Sequence, residues 1–295
     1  MQYASLATAG TGTLCELFDR TVAECGLQLA LRSDAGSPAL TWTEYADRAH
    51  AAAAGLAGLG IGRRDTVACW LRNRPEFNIA DAGALRLGAI PFSLHQSYTV
   101  AQAEHVIGDA RSSVLVTEPT FLSSALAVRD ARRTPLETIV LVEGADACAL
   151  TWQELLECAS SAFDPNAAAC LVEPDDLATL ICAAGVEGLH AGARVSHRAL
   201  VSVLAPLRDK RLRSLAVRAS THASVAHLAV RLFTHYLPMT LGWSVTTCPE
   251  DRLHRGRWRP AGSGPYAHSN TNGRLTAARR GTSMTFLVRP LSEAA

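Results

Sequence analysis

Between Asp65 and Gly144 the chain alternates short β-rich apolar runs with helical stretches, and this alternation constrains its fold more than any other feature. The apolar runs are TVACWL, AIPFSL, SVLVTE and TIVLVEG; between them lie a stretch opened by Pro75, then TVAQAEHVIGDA and FLSSALAVRDA. Runs apolar on successive residues suit strands buried on both faces, and helices between such strands allow them to run parallel. The spacing therefore predicts an α/β fold, with parallel sheets flanked by helices. Upstream, Leu14, Leu17, Phe18 and Val22 sit at helical spacing behind Thr13 as N-cap, LQLALR and ALTW read as strands, and a helix from Thr43 with an alanine-rich face ends at the Gly58 to Gly62 cluster. Downstream, DLATLICAAG reads as a strand running into a glycine-containing turn, with a helix starting near Ser196. Residues 226 to 242 form an apolar helical stripe, and WSVTTC is one further strand.

Composition excludes some partners. With 48% apolar and 19% charged residues the chain can bury a substantial core, and a formal net charge of +1 generates no global field for nucleic acid or an anionic membrane. Lys210 is the sole lysine, so any lysine-dependent chemistry has one candidate. The eight cysteines show no C-x-x-C pair and no zinc spacing; they read as small buried hydrophobes, and no metal site is expected from them. The first residues lack the charged start and apolar core of a signal peptide, and no run is long enough to span a membrane, so a cytoplasmic setting is expected. Beyond Asp251 arginine, glycine and serine dominate and apolar periodicity fades, so residues 251–295 are expected to form an Arg/Gly-rich tail with little order.

Three stretches in order carry a resemblance: TWTEYADRAHAAAAGLAGLGIG through SSVLVTE, then DDLATLICAAGVEGLHAGARVSHRAL, then AHLAVRLFTHYLPMTLGWSVTTCP. Together they resemble the N-terminal domain of adenylate-forming, AMP-binding enzymes, specifically the long-chain acyl-CoA synthetase branch. The likeness covers about residues 13–250. It implies a fatty-acid–CoA ligase: ATP with Mg would adenylate a fatty acid, and coenzyme A would then take the acyl group as a thioester.

In that family the strand matching DLATLI leads into T-S-G-T-T-G-x-P-K-G, whose backbone N–H groups, hydroxyls and lysine hold the ATP phosphates. Here Gly185, Gly188 and Gly192 keep the glycine positions, while Ala183, Ala184, Val186 and Glu187 occupy the hydroxyl positions and Ala191 the lysine position. A carboxylate at 187 repels a triphosphate, and losing the hydroxyl donors and a cation, each about 1 kcal/mol or more, weakens phosphate binding by several powers of ten. The bare alternative is a strand-to-helix turn whose glycines serve geometry. The segment AHLAVRLFTHYLP resembles the family's A-H-x-x-E-R-x-x-S-H-Y-L-P, with Val230 in place of Glu; His227 is the candidate pocket residue, and His197 and His235 read as helix residues. The family's Y-G-x-T-E motif, ribose-binding Asp and adenylating Lys have no counterpart after Asp251. No catalytic residue is therefore assigned.

Two functions remain open at this point. One is a ligase by descent, impaired as this chain; the other is a noncatalytic acyl-binding or partner-binding protein that works with a separately encoded C-terminal half. Nucleic-acid binding by the arginine-rich tail is disfavoured by its sparse aromatics. Sheet edges and apolar faces that the missing segments cover in the family are expected to be exposed here.

Overall fold

The computed structural model of the protein describes residues 12–33, 39–160, 162–183, 191–208, 216–221, 226, 228–247, 276–280 and 283–288. Helix α1 (Leu14–Cys25) opens on a reciprocal cap: the Thr13 hydroxyl accepts from Glu16 N–H, and the Glu16 carboxylate accepts from Thr13 N–H. Strand β1 (Leu29–Ser33) and the two-residue β2 (Leu40–Thr41) lead into α2 (Trp42–Gly58), capped in the same way by Thr41 and Glu44. The expected alternation follows as β3 (Thr66–Trp70), α3 (Pro75–Arg86), β4 (Ile90–Ser93), α4 (Val100–Ala110), β5 (Val114–Thr117), α5 (Pro119–Asp130) and β6 (Thr138–Leu141). Then β7 (Leu150–Thr151) and α6 (Trp152–Glu157) repeat the β2–α2 junction, again as Leu-Thr-Trp-x-Glu with a reciprocal cap.

The later elements are α7 (Pro165–Cys170), β8 (Leu177–Ala183), β9 (Ala191–Ser196), α8 (His197–Leu204), β10 (Ala216–Thr221), β11 (Val245–Thr247), β12 (Thr276–Arg280) and β13 (Ser283–Val288). Between β10 and β11 a helical run comprises Leu228–Arg231, a π-helical turn Leu232–Tyr236, and Leu237–Leu241. Strand β9 corrects the sequence reading: the chain returns antiparallel to β8 before α8 begins, so the glycine-containing segment joins two strands. Residues 184–190 of that segment lie outside the described residues.

Two sheets result. The larger has the order β7-β6-β5-β3-β4-β8-β9 and is parallel except at β9; the smaller has the order β12-β13-β10-β11-β1-β2, with antiparallel pairings at its two margins. Two stretches of the tail, which the sequence suggested would hold little order, pair here: β13 runs parallel to β10 with β12 beside it. The remainder of the tail lies outside the described residues.

Three apolar clusters place the helices. Trp70, Phe92, Leu115 and Ile139 of the larger sheet pack on α4 and α5, while Val67, Cys69, Val114 and Val116 on its other face pack on α2 and α3. Ile79, Ala82 and Leu85 of α3 then face the smaller sheet through Leu31 and Val245. Helix α3 is thus buried on nearly every side, each large apolar side chain contributing about 1.5–3 kcal/mol. A helix so enclosed can carry polar groups only if they are paired, and Asn78, Asp81 and Arg86 are buried on it. Close approach of α2 to its neighbours depends on small residues. A Cβ on Gly83 would lie 3.0 Å from Ala49 O, and a Cβ on Gly55 would lie 2.4 Å from Leu155 O.

Candidate functional site

The parallel strands β3, β4, β5, β6 and β8 end at one edge of the larger sheet, where ligands of open α/β sheets bind. The hairpin of β8 and β9 reaches this edge with Ala183 opposite Ala191 and Cys182 opposite Gly192. Its attachment is slender, since β8 registers against β4 at a single pair, Phe92 with Leu180. Side chains reinforce it. The Thr179 hydroxyl donates to Pro91 O at 2.7 Å, and Arg231 Nη2 donates to the same carbonyl at 3.3 Å.

Arg231 belongs to a buried polar network below the hairpin. Its guanidinium pairs with Asp81 of α3, both side chains being at most 1% exposed, and lies 5.3 Å from the Phe77 ring centre and 5.6 Å from that of Tyr236. His235, on the π-helical turn, donates from Nε2 to Asp81 Oδ2 at 2.8 Å and accepts at Nδ1 from Asn78 Nδ2 at 2.8 Å. Tyr45 donates to Asn78 O at 3.0 Å. Burial alone would raise the Asp81 carboxyl's pKa; Arg231 and His235 outweigh burial and hold it below its usual value. Burial likewise disfavours the Arg231 cation, but Asp81 overcomes this and its pKa ends above normal. Arg231 Nε and Nη1 are buried without a partner among the described residues. The network joins α3, β4 and the helical run, and it fixes the base of the hairpin.

At the carboxyl edge itself, charges are already matched. Glu118, fully buried after β5, pairs with Arg72 and accepts from Arg74 Nη1 at 3.3 Å. Arg74 also meets Glu76 at 2.7 Å and Glu143 at 3.2 Å. These arginines are consumed by carboxylates, so they offer a phosphate little net charge.

His197 shows how a buried histidine is used structurally. It is the first residue of α8, capped by Ser196, and its Nδ1 accepts from Leu14 N–H at 3.1 Å, closing the start of α1. The sequence reading of His197 as a helix-end residue agrees with this. Burial lowers its pKa from 6.5 to about 4, and burial with Arg86 also lowers that of the half-buried His50. Unfolded chains take up protons below about pH 6.5 that the folded chain refuses, so stability should fall as pH drops from there toward about 4, at most tenfold in the folding constant per pH unit for His197. In urea titrations His197→Gln, which retains an acceptor for Leu14 N–H but does not titrate, should flatten this slope; an unchanged slope would remove His197 as its source.

Of the residues singled out in sequence, Ala191 and Gly192 lie on β9, while Gly185, Glu187, Gly188 and His227 lie outside the described residues. Among the described residues no group of three His, Cys, Asp or Glu is placed to hold a metal ion, and no helix is long and apolar enough to cross a membrane. Sequence reasoning missed Asp81 as the partner of Arg231 and His235. Its signal was a carboxylate set between the apolar residues Ile79, Ala80 and Ala82 of α3.

A mostly parallel sheet flanked by helices, joined through shared helices to a second sheet, defines the N-terminal domain of adenylate-forming enzymes. The chain belongs to the AMP-binding enzyme family, whose profile matches residues 18–260. It is 38% identical over 133 residues to an uncharacterized protein of Mycobacterium tuberculosis, covering 45% of this chain and 74% of that protein. It is 32% identical over 198 residues to a 4-coumarate–CoA ligase of Oryza sativa subsp. japonica, covering 67% of this chain and 34% of the ligase. The crystal structure of a long-chain-fatty-acid–CoA ligase from Archaeoglobus fulgidus superposes with a TM-score of 0.70 at 18% identity, covering 84% of this chain and 49% of that one. The chain thus spans about a third to a half of the length of these named ligases.

Proposed function

We propose that this chain is a long-chain fatty-acid–CoA ligase by descent whose ATP-phosphate segment has lost its chemistry, so that by itself it neither adenylates an acid nor forms a thioester. The observation that carries this reading is the content of residues 183–192 in the sequence, from the last residue of β8 to the second residue of β9. Phosphate binding there calls for hydroxyl donors and a cation, and the chain supplies Ala183, Ala184, Val186, Glu187 and Ala191. That donor set does not fit a triphosphate. Membership of the AMP-binding family and the fatty-acid–CoA ligase fold likeness support the choice of fatty acid, ATP, Mg and coenzyme A as ancestral substrates.

MgATP at about 5 mM should raise the melting temperature by less than about 1 °C. The combined variant Ala183→Thr, Ala184→Ser, Val186→Thr, Glu187→Thr, Ala191→Lys should bind more tightly and shift it by several degrees. A clear shift in the unaltered chain, or thioester formation from palmitate, ATP and coenzyme A, would overturn the proposal.

A further inference from the structure

At the opposite edge of the larger sheet, where β3, β4 and β8 begin, a cleft of about 470 Å³ opens between the C-terminal end of α4 and the base of the β8–β9 hairpin. Arg64, Arg111 and Arg194 line it, all three exposed. The cleft's acids have other obligations. Asp175 is held by Arg198 through bonds of 2.6 and 2.9 Å, Asp176 is held by Arg63 at 2.7 Å, and Asp65 accepts from Gly62 N–H at 2.8 Å. Asp109 faces His105 of its own helix at 3.8 Å. Arg64 reaches Asp176 only at 3.5 Å, and no carboxylate pairs with Arg111 or Arg194 among the described residues. Two guanidinium groups therefore line one concavity without a carboxylate partner among the described residues, beside Asp65 and Asp109, which keep their own charge.

The backbone adds an independent mark. Arg64, at φ 73°, and Arg111, at φ 55°, are two of the three non-glycine residues with left-handed backbone among the described residues, and both line this cleft. Arg111 stands at the end of α4, where glycine would relieve that conformation. Keeping an arginine at a position better suited to glycine is the kind of local cost found at binding sites. Ile90, Leu177 and Leu180 supply an apolar wall beside the charges, so the cleft offers room for a small organic body as well as its anion.

We propose that this cleft binds a soluble phosphomonoester, its phosphate held by Arg111 and Arg194 with Arg64 at the margin. Guanidinium forks match phosphate oxygens in geometry and charge. The site lies at the sheet edge away from Ala183 and Ala191, so it stands or falls independently of the ligase reading. The test titrates the full chain with ribose 5-phosphate, inorganic phosphate and ribose, followed by amide chemical shifts. Saturable shifts centred on Arg111 and Arg194 are expected for both phosphates, tighter for ribose 5-phosphate, weakened by added salt and missing for ribose. Arg194→Gln should lower the affinity about tenfold. Arg111→Gly should do the same while raising the melting temperature by about 2 °C, because the backbone is relieved as the ligand is lost. A residue kept for structure alone would not give these opposite signs. Failure to saturate, an equal response to ribose, or unchanged affinity in both variants would overturn the proposal.

Discussion

Asp81→Ala should destabilise the protein by about 3–5 kcal/mol, a large share of the about 5–15 kcal/mol that holds a typical domain folded, whereas the double variant Asp81→Leu, Arg231→Met should recover most of that loss. The asymmetry follows from the environment. Asp81 and Arg231 are almost wholly buried, so removing the carboxylate leaves a cation with nothing to offset its desolvation, and His235 loses the acceptor of its Nε2 proton. Removing both charges also removes two guanidinium nitrogens that already lack partners among the described residues. Acid should spare the pair at first. The depressed Asp81 pKa means that its stabilising contribution is complete above the unfolded-state value and fades only as pH falls through the lower folded one. Urea denaturation of the single and double variants measures both effects; a double variant as unstable as Asp81→Ala would show that the network's other bonds matter more than its charges.

Gly58→Ala is the second large effect. A Cβ on Gly58 would sit 1.9 Å from Cys158 O, a backbone atom at the end of α6 that cannot rotate away. Alanine normally favours a helix by about 1 kcal/mol over glycine, but forcing α2 and α6 apart should reverse the sign and cost about 3 kcal/mol net. Gly60 is the control. Its φ is +84°, but nothing lies within 4 Å of the place a Cβ would take there, so Gly60→Ala should cost only about 1 kcal/mol from the backbone. Thermal melts of both variants separate the causes; equal losses would discount the helix contact.

Much of the architecture was legible because its signals are local. Strands β3 to β6 announce themselves as continuous apolar runs, and Thr13 and Ser196 were both recognisable as starts of helices. The return strand β9 was hidden because AGARVS is small and polar, with no apolar run to mark it; its identity comes from pairing with β8. The pairing of β13 with β10 was hidden likewise, since the two strands are distant in sequence. For the candidate site, composition exposed the lost phosphate chemistry, but the Asp81–Arg231–His235 cluster depends on groups 150 and 154 residues apart in the chain, beyond the reach of periodicity.

The two Leu-Thr-Trp-x-Glu junctions have a consequence for how the molecule meets its surroundings. Each stops a marginal strand after two residues and turns it at once into a capped helix, so β2 and β7 present almost no free backbone ladder to other chains. The opposite margins are longer, β12 with five residues and β9 with six, although β9 too passes directly into a capped helix, α8. Among the described residues, the backbone ladder offered to an added strand is thus shortest at the β2 and β7 margins.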